Sequence, residues 1–151
     1  MITDIKNYLR ISETLACAGQ PLEEELRFIK DAGFEVVINL GLLNQPEYSL
    51  KDEAGSVKAL GMDYIHIPVI FDSPQRSNLV DLFSSLEVNK GKKVFVHCAM
   101  NMRASTFVGL YSVIRLKQPR DQAFAPMLRI WQPDAVWQAF IENVLADPDL
   151  K

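Results

Sequence analysis

A short stretch near the middle of the chain combines a thiol, an arginine and the start of a helix. It reads Val94-Phe95-Val96-His97-Cys98, followed by Ala99-Met100-Asn101-Met102-Arg103-Ala104-Ser105. The first part is apolar and β-branched, which is typical of a buried strand, and the second leads into a helical pattern. Successive backbone N–H groups in such a loop, together with the helix dipole, favour an anion at one point. The spacing therefore predicts an oxyanion site with Cys98 at its base.

Cys98 is the residue of this loop that could act as a nucleophile. The thiolate is the reactive form of cysteine, and a helix N-terminus with a nearby arginine favours it. Arg103 could hold an oxyanion through two parallel hydrogen bonds from its planar guanidinium. The alternative is that Cys98 is a buried, inert thiol, as we expect for Cys17, which lies in a predicted strand.

The composition narrows the class of protein. A chain of 151 residues with 48% hydrophobic content is long enough for one domain, which we expect to span residues 1–151. The net charge of −3 gives no sign of a nucleic-acid or anionic membrane partner. Two cysteines are too few for a disulfide framework, and neither a CxxC motif nor a His-rich cluster indicates a metal. We expect a cytoplasmic protein, or a periplasmic one if a leader peptide is removed, because no long apolar segment occurs.

The elements alternate in the order typical of an α/β fold. The predicted strands are Leu15–Ala18, Val36–Leu40, Tyr64–Val69 and Val94–His97. The predicted helices are Glu23–Ala32, Lys51–Leu60, Asn78–Leu86, Ala104–Lys117, Arg120–Ile130 and Pro133–Leu145. This order predicts a central, mostly parallel sheet with helices on both faces and an all-helical C-terminal part.

Chemistry in an open parallel sheet lies outside the carboxyl ends of the strands. Four loops qualify here, namely Gly19–Pro21, Gly41–Pro46, Ile70–Arg76 and Cys98–Arg103. Asp72 lies in the third of these loops and could deliver a proton to a leaving group above Cys98. Its alternative role is to form the turn or cap the next helix, as aspartate often does.

At this point the residues resemble a known family. His97-Cys98 at a strand end, with Arg103 opening a helix, resembles the signature loop of cysteine-based protein tyrosine phosphatases, especially the compact dual-specificity type. The rest of the chain is similar to the bacterial branch called the beta-lactamase-hydrolase-like phosphatase-like family. The segments that carry this similarity are Ala18–Pro21, Val37–Leu40, Gly61–Val69 and the loop that contains Asp72.

The resemblance implies a mechanism and a role for each residue of the loop. It implies attack by the Cys98 thiolate on a phosphate monoester, a phosphocysteine intermediate, and hydrolysis without a metal or other cofactor. Arg103 would clamp the phosphate, Asp72 would act as acid and then as base, and His97 would support the thiolate from behind. The substrate would be a phosphorylated protein, with phosphotyrosine as one candidate, or a phosphorylated small molecule. The remaining residues expected to bind the phosphate, or a sulfate in its place, are Ala99, Met100, Asn101, Met102 and Ser105.

The loop departs from the phosphatase pattern in its length. Four residues separate Cys98 from Arg103, whereas phosphatases of this kind have five, usually including a glycine. One amide donor is therefore missing, and Ala104 stands where a hydroxyl residue is common. Asn101 could offset the missing glycine because asparagine tolerates a left-handed backbone.

Two other functions stay open at this stage. Rhodanese-like sulfurtransferases have the four-residue spacing and hold a cysteine persulfide in the loop. They resume a strand and helix pattern after the loop, whereas only helices are predicted after Arg103, and they do not usually carry a histidine before the cysteine. The third alternative is a binding module that captures phosphate or a phosphorylated partner without turnover.

Overall fold

The computed structural model describes residues 1–151 and contains five strands and six α-helices. The strands are β1 (Leu9–Arg10), β2 (Leu15–Ala18), β3 (Val36–Asn39), β4 (Asp63–His66) and β5 (Val94–His97). The helices are α1 (Leu26–Asp31), α2 (Glu53–Ala59), α3 (Arg76–Val88), α4 (Met102–Ile114), α5 (Arg120–Leu128) and α6 (Ala135–Leu145). Short 3-10 turns lie at Ile2–Asp4, Glu23–Glu25 and Pro148–Leu150. None of the helices is both long enough and apolar enough to cross a membrane.

The sheet places β5 at its centre. The strand order is β1-β2-β5-β3-β4, with β1 antiparallel at the edge and the other four strands parallel. Val96 of β5 pairs with Cys17 on one side and with Ile38 on the other. The carboxyl ends of the four parallel strands therefore meet at one edge, and the loop after β5 lies between the loops after β2 and β3.

Helices cover both faces of the sheet, as the sequence predicted. Consecutive strand residues point to opposite faces, so neighbours in β5 enter different parts of the core. Phe95 packs with Phe34 and residues from α1 and α2 in a cluster of ten buried side chains. Val96 belongs to the larger cluster of 27 buried side chains, which includes residues from α3, α4, α5 and α6.

The C-terminal part is all helical, and no strand follows β5. α4 is buried along almost its whole length because it lies against the sheet and contacts α5 closely. Gly109 permits this contact, since a Cβ there would come within 2.6 Å of the Phe124 ring. The expectation of helices alone after the loop is confirmed.

The structure corrects several predicted boundaries. The edge strand β1 was not predicted, because a strand of only two residues is too short to show an alternation of apolar and polar side chains. The predicted strand Tyr64–Val69 ends at His66, because the ladder with β3 then loses its register: the Ile67 amide donates to the Asn39 carbonyl, but the Val69 amide donates to the next residue, Leu40. α4 begins at Met102 and not at Ala104, because Asn101 turns the chain into the helix two residues earlier.

Candidate active site

The loop Cys98–Arg103 is held from one side by the turn that follows β2. The Cys98 amide donates to the Ala18 carbonyl at 3.3 Å, and the Gln20 amide donates to the Ala99 carbonyl at 2.9 Å. A Cβ on Gly19 would lie only 2.7 Å from the Ala99 carbonyl oxygen. Glycine is therefore required at position 19 for the two backbones to approach this closely.

Two asparagines with left-handed backbones tie the loop to the N-terminal segment. Asn101 is fully buried with a φ of 68°, and its Nδ2 donates to the Asn7 carbonyl at 2.7 Å. Asn7 has a φ of 52°, and its own Nδ2 donates to the Met100 carbonyl at 2.9 Å. Sequence reasoning anticipated the backbone of Asn101. It missed Asn7, because one asparagine in an irregular segment carries no signal of a partner 94 residues away.

Several amides of the loop have no hydrogen-bond acceptor within the protein. The first backbone bond at the start of α4 runs from the Ser105 amide to the Asn101 carbonyl, at 3.1 Å. The amides without an acceptor are those of Ala99, Met100, Met102, Arg103 and Ala104. Unpaired donors at a helix N-terminus, together with the helix dipole, form a site that favours an anion.

Arg103 links this loop to the loop that carries Asp72. Its side chain is buried, with the residue 6% exposed, and Nη1 donates to the Val69 carbonyl at 2.7 Å. Its Nε and Nη2 atoms have no acceptor in the protein. The guanidinium is therefore anchored through one nitrogen and keeps two donors available.

The loop around Asp72 is anchored, but the Asp72 side chain is exposed and has no hydrogen bond within the protein. Phe71 packs against Trp131 and Trp137, with ring centroids 5.6 and 5.9 Å apart. The Phe71 carbonyl also accepts a hydrogen bond from Trp137 Nε1 at 2.8 Å. The backbone at Asp72 is thus held in place while its carboxylate stays available to solvent.

Ser105 and the two methionines differ in their placement. The Ser105 hydroxyl donates back to the Met102 carbonyl at 3.4 Å, and Ser105 lines a small cleft with residues of α5 such as Gln122. This geometry gives no support to the expected phosphate contact of Ser105. Met100 is exposed at the edge of the loop, and Met102 is half-buried.

The two cysteines are both free thiols. Cys98 is almost fully buried at the end of β5, under the loop. Burial raises the pKa of the Cys17 thiol to about 12, so Cys17 remains protonated at neutral pH. Cys17 is therefore a core residue, as predicted from its place in a strand.

His97 lies behind the loop in a buried polar network. Its Nδ1 is 3.2 Å from the Cys98 carbonyl oxygen, and its Nε2 is 2.6 Å from Glu53 Oε2. Gln20 Nε2 donates to the other carboxylate oxygen of Glu53 at 2.8 Å. His97 was expected to support the thiolate from this side, whereas Glu53 and Gln20 were not anticipated. An acidic residue in the first turn of a helix is too common to signal such a contact.

Glu53 is ionised in this network. Burial opposes its charge, but the charge of His97 and the hydrogen bonds from His97 and Gln20 outweigh it and hold the pKa of Glu53 below its ordinary value. A lowered carboxyl pKa stabilises the fold above the ordinary pKa of glutamate, and this stabilisation is lost as the pH falls through the folded value. Asp52 caps α2 through the Gly55 amide and so fixes the helix start that carries Glu53.

The second histidine has a structural partner. His66 Nε2 lies 2.7 Å from the Gly41 carbonyl oxygen, so this strand histidine has a partner within the fold. No group of three or more His, Cys, Asp or Glu side chains is placed to hold a metal ion.

The left-handed backbone of Asn101 can be tested by measuring the stability of variants at this position. Asn101→Ala should lower the free energy of unfolding by about 2–3 kcal/mol, because it adds left-handed strain to the loss of a buried hydrogen bond. Asn101→Gly removes the strain and should be more stable than Asn101→Ala by about 1 kcal/mol in urea unfolding. Asn89, with a φ of −98° and a side-chain bond to the Ser85 carbonyl, is the matched control. There the order should reverse, and the same order at both positions would contradict the interpretation.

Comparisons with known proteins agree with this geometry. A family model described as "DSP-PTPase phosphatase fused to NAD+ kinase" matches residues 7–136. The beta-lactamase hydrolase-like protein of Xylella fastidiosa is 29% identical over 119 residues, which cover 76% of this chain and 27% of that protein. The chain thus spans about a quarter of the length of this curated relative.

Solved structures share the fold over most of the chain. A DUF442 protein from Shewanella putrefaciens CN-32 is 32% identical with a TM-score of 0.86, covering 96% of this chain and 95% of that one. PTPMT1 in complex with PI(5)P is 18% identical with a TM-score of 0.72, covering 92% and 97%. TpbA of P. aeruginosa in complex with pTyr is 15% identical with a TM-score of 0.65, covering 80% and 71%. The last two show the fold alone. Since the family model covers most of its residues, the chain belongs to the DSP-PTPase phosphatases fused to NAD+ kinase, within the cysteine-based protein tyrosine phosphatase superfamily that its loop resembles.

Proposed function

We propose that residues 1–151 act as one phosphatase domain that hydrolyses a phosphate monoester through a phosphocysteine intermediate. The observation that carries the proposal is the loop itself. Cys98 directly follows the central strand, five amides after it have no acceptor in the protein, and Arg103 keeps Nε and Nη2 available. These are the parts needed to hold a phosphate dianion over a thiolate.

In the first step, the Cys98 thiolate attacks phosphorus. The S–P bond forms as the P–O bond to the leaving group breaks, and Asp72 donates a proton to the departing oxygen. The transition state carries charge on three equatorial oxygens, which the loop amides and the Arg103 guanidinium stabilise. Arg103 Nε and Nη2 together can bind two of these oxygens in parallel.

In the second step, water attacks phosphorus on the other side of the S–P bond. Asp72, now a carboxylate, accepts a proton from this water, the S–P bond breaks, and inorganic phosphate leaves with the thiolate restored. The cycle needs a reduced Cys98, so we expect the domain to work in a reducing compartment such as the cytoplasm.

The short loop is compatible with this mechanism because its shape is fixed from outside. Asn101 supplies the left-handed turn, and Asn7 and Gln20 hold the Met100 and Ala99 carbonyls away from the side where the anion would bind. A loop with one residue fewer thus keeps its amides free without needing a glycine of its own.

We further propose that the substrate is an aryl phosphate, of which phosphotyrosine is one. Each loop after a parallel strand presents one large apolar side chain, between 42% and 58% exposed: Leu22, Leu43, Ile70 and Met100. Apolar contacts favour an aromatic leaving group. The pTyr bound to TpbA fits this environment better than the PI(5)P bound to PTPMT1.

Cys98→Ser tests the covalent mechanism. The variant should lose turnover of p-nitrophenyl phosphate, because a serine hydroxyl at this site lacks the nucleophilicity of a thiolate. It should still bind inorganic phosphate in calorimetry, since the amides and Arg103 are unchanged. Cys17→Ala, which removes the other thiol, should keep turnover. Equal rates for Cys98→Ser and the natural protein would rule out the mechanism.

The same assay separates the two alternative functions. Thiocyanate formed from thiosulfate and cyanide, without phosphate release, would indicate a sulfurtransferase. Tight phosphate binding without any release from aryl phosphates in a single turnover would indicate a binding module.

Asp72→Asn tests the proton donor. The loss in kcat/KM should be about 10²- to 10⁴-fold for aryl phosphates with poor leaving groups and small for those with good ones, because only poor leaving groups need the proton. Asp81→Asn, an exposed substitution of the same kind on α3, should leave both rates unchanged. A uniform loss across all leaving groups would exclude Asp72 as the acid.

The substrate class is tested by removing the apolar side chains around the loop. Leu43→Ser and Ile70→Ser should each lower kcat/KM for aryl phosphates about fivefold, corresponding to about 1 kcal/mol of apolar contact. They should not lower it for a small sugar phosphate. Leu116→Ser, equally exposed but at the C-terminal end of α4, is the control. An equal loss on both substrates would contradict the aryl assignment.

A further inference from the structure

Both ring nitrogens of His97 face hydrogen-bond acceptors. Nδ1 lies 3.2 Å from the Cys98 carbonyl oxygen, which can only accept, and Nε2 lies 2.6 Å from the Glu53 carboxylate. His97 is fully buried and Glu53 is 3% exposed, so water does not replace either partner. Glu53 is ionised and can only accept, so both nitrogens can be satisfied at once only if the ring carries two protons.

We propose that Glu53 is a positioning residue for the active site: its carboxylate keeps His97 doubly protonated behind Cys98, and the imidazolium in turn favours the Cys98 thiolate. This inference rests on the proposed nucleophilic role of Cys98. Glu53 acts through His97 and does not itself contact the loop.

The order in which His97 and Glu53 lie behind Cys98 decides whether the pair favours or disfavours the thiolate. The imidazolium bonds to the Cys98 backbone directly, whereas the Glu53 carboxylate lies on the far side of the ring. The pair therefore places its positive end nearer the Cys98 backbone than its negative end, although its net charge is zero. In a buried site such a dipole is poorly screened and acts strongly on a neighbouring charge.

The other polar groups around the pair come from neighbouring elements. Gln20 donates to Glu53 from the turn after β2, and this bond leaves Glu53 Oε2 for His97. From β4, His66 acts on Glu53 through its charge when protonated, and the Glu53 charge disfavours ionisation of Tyr64. Neither β4 residue has a hydrogen bond to Glu53 or His97, so the direct partner of His97 Nε2 is Glu53.

The protonation of His97 can be read in the unaltered protein. The chain has only two histidines, so ¹⁵N NMR of the imidazole nitrogens resolves His97 from the half-buried His66. His97 should keep both protons at pH 7.5. A His97 ring with one unprotonated nitrogen at that pH would overturn the proposal without any variant.

Glu53→Gln tests the effect on the thiol. The introduced amide can still accept from Nε2 but cannot balance an imidazolium, so His97 should become neutral. The pH midpoint of Cys98 alkylation by iodoacetamide, followed by peptide mass spectrometry, should rise by about one unit, which is about a tenfold loss of thiolate well below the midpoint. Glu142→Gln, which breaks an exposed ion pair with Arg120, should leave the midpoint in place.

The His97→Gln variant distinguishes an effect of Glu53 on Cys98 that passes through His97 from a direct effect of Glu53. In His97→Gln the midpoint should rise, and adding Glu53→Gln should raise it no further. A midpoint unmoved by Glu53→Gln, or a shift of equal size in both backgrounds, would overturn the proposal. Alkylation needs no turnover, so the proposed phosphatase activity can fail in the ester assay while this result stands, and the reverse also holds.

Discussion

The position of β5 between two parallel strands is the constraint on which the site depends. Its carboxyl end can continue only into the space left by the loops after β2 and β3, so those loops decide the path of the chain from Cys98 to Arg103. The restraints that act on the loop carbonyls come from residues distant in sequence, namely Asn7 and Gln20. With its carbonyls engaged in this way, the loop retains unpaired amides on its other side. The unpaired amides of the loop are thus a by-product of how the strands are ordered.

The burial of Glu53 beside His97 has an energetic cost. A buried carboxylate loses hydration that its polar partners only partly offset, and an apolar pair of similar volume is often no less stable. Here the pair is completed by Gln20 and by the Cys98 carbonyl, so each polar atom has a partner. A network of this kind adds little to stability compared with the apolar core, and it lies directly behind the cysteine.

The sequence was sufficient for the order of elements because the apolar runs and helical repeats are local signals. β5 was predicted with its observed bounds and α4 to within three residues at either end, and the left-handed backbone of Asn101 followed from its residue type. The resemblance supplied roles for Cys98, Arg103 and Asp72, which stay predictions. Asn7, Gln20 and Glu53 could not be predicted, since each becomes important only through a partner brought near by the fold. Ser105 is the opposite case. Its position two residues after Arg103 suggested a contact with phosphate, but its hydroxyl donates back to the Met102 carbonyl, and this geometry does not favour that contact.

The clamp between Asn7 and Asn101 joins the loop to the weakest edge of the sheet. β1, which follows Asn7, pairs with β2 through only two residues, and such edges open locally at far lower cost than the whole fold. Each opening would release the Met100 carbonyl and the Asn101 side chain together. The proposed phosphate binding and the opening of this edge are then linked by mass action. Phosphate in the loop would protect the amino-terminal segment from proteolysis, and opening of that segment would weaken phosphate binding by the same factor.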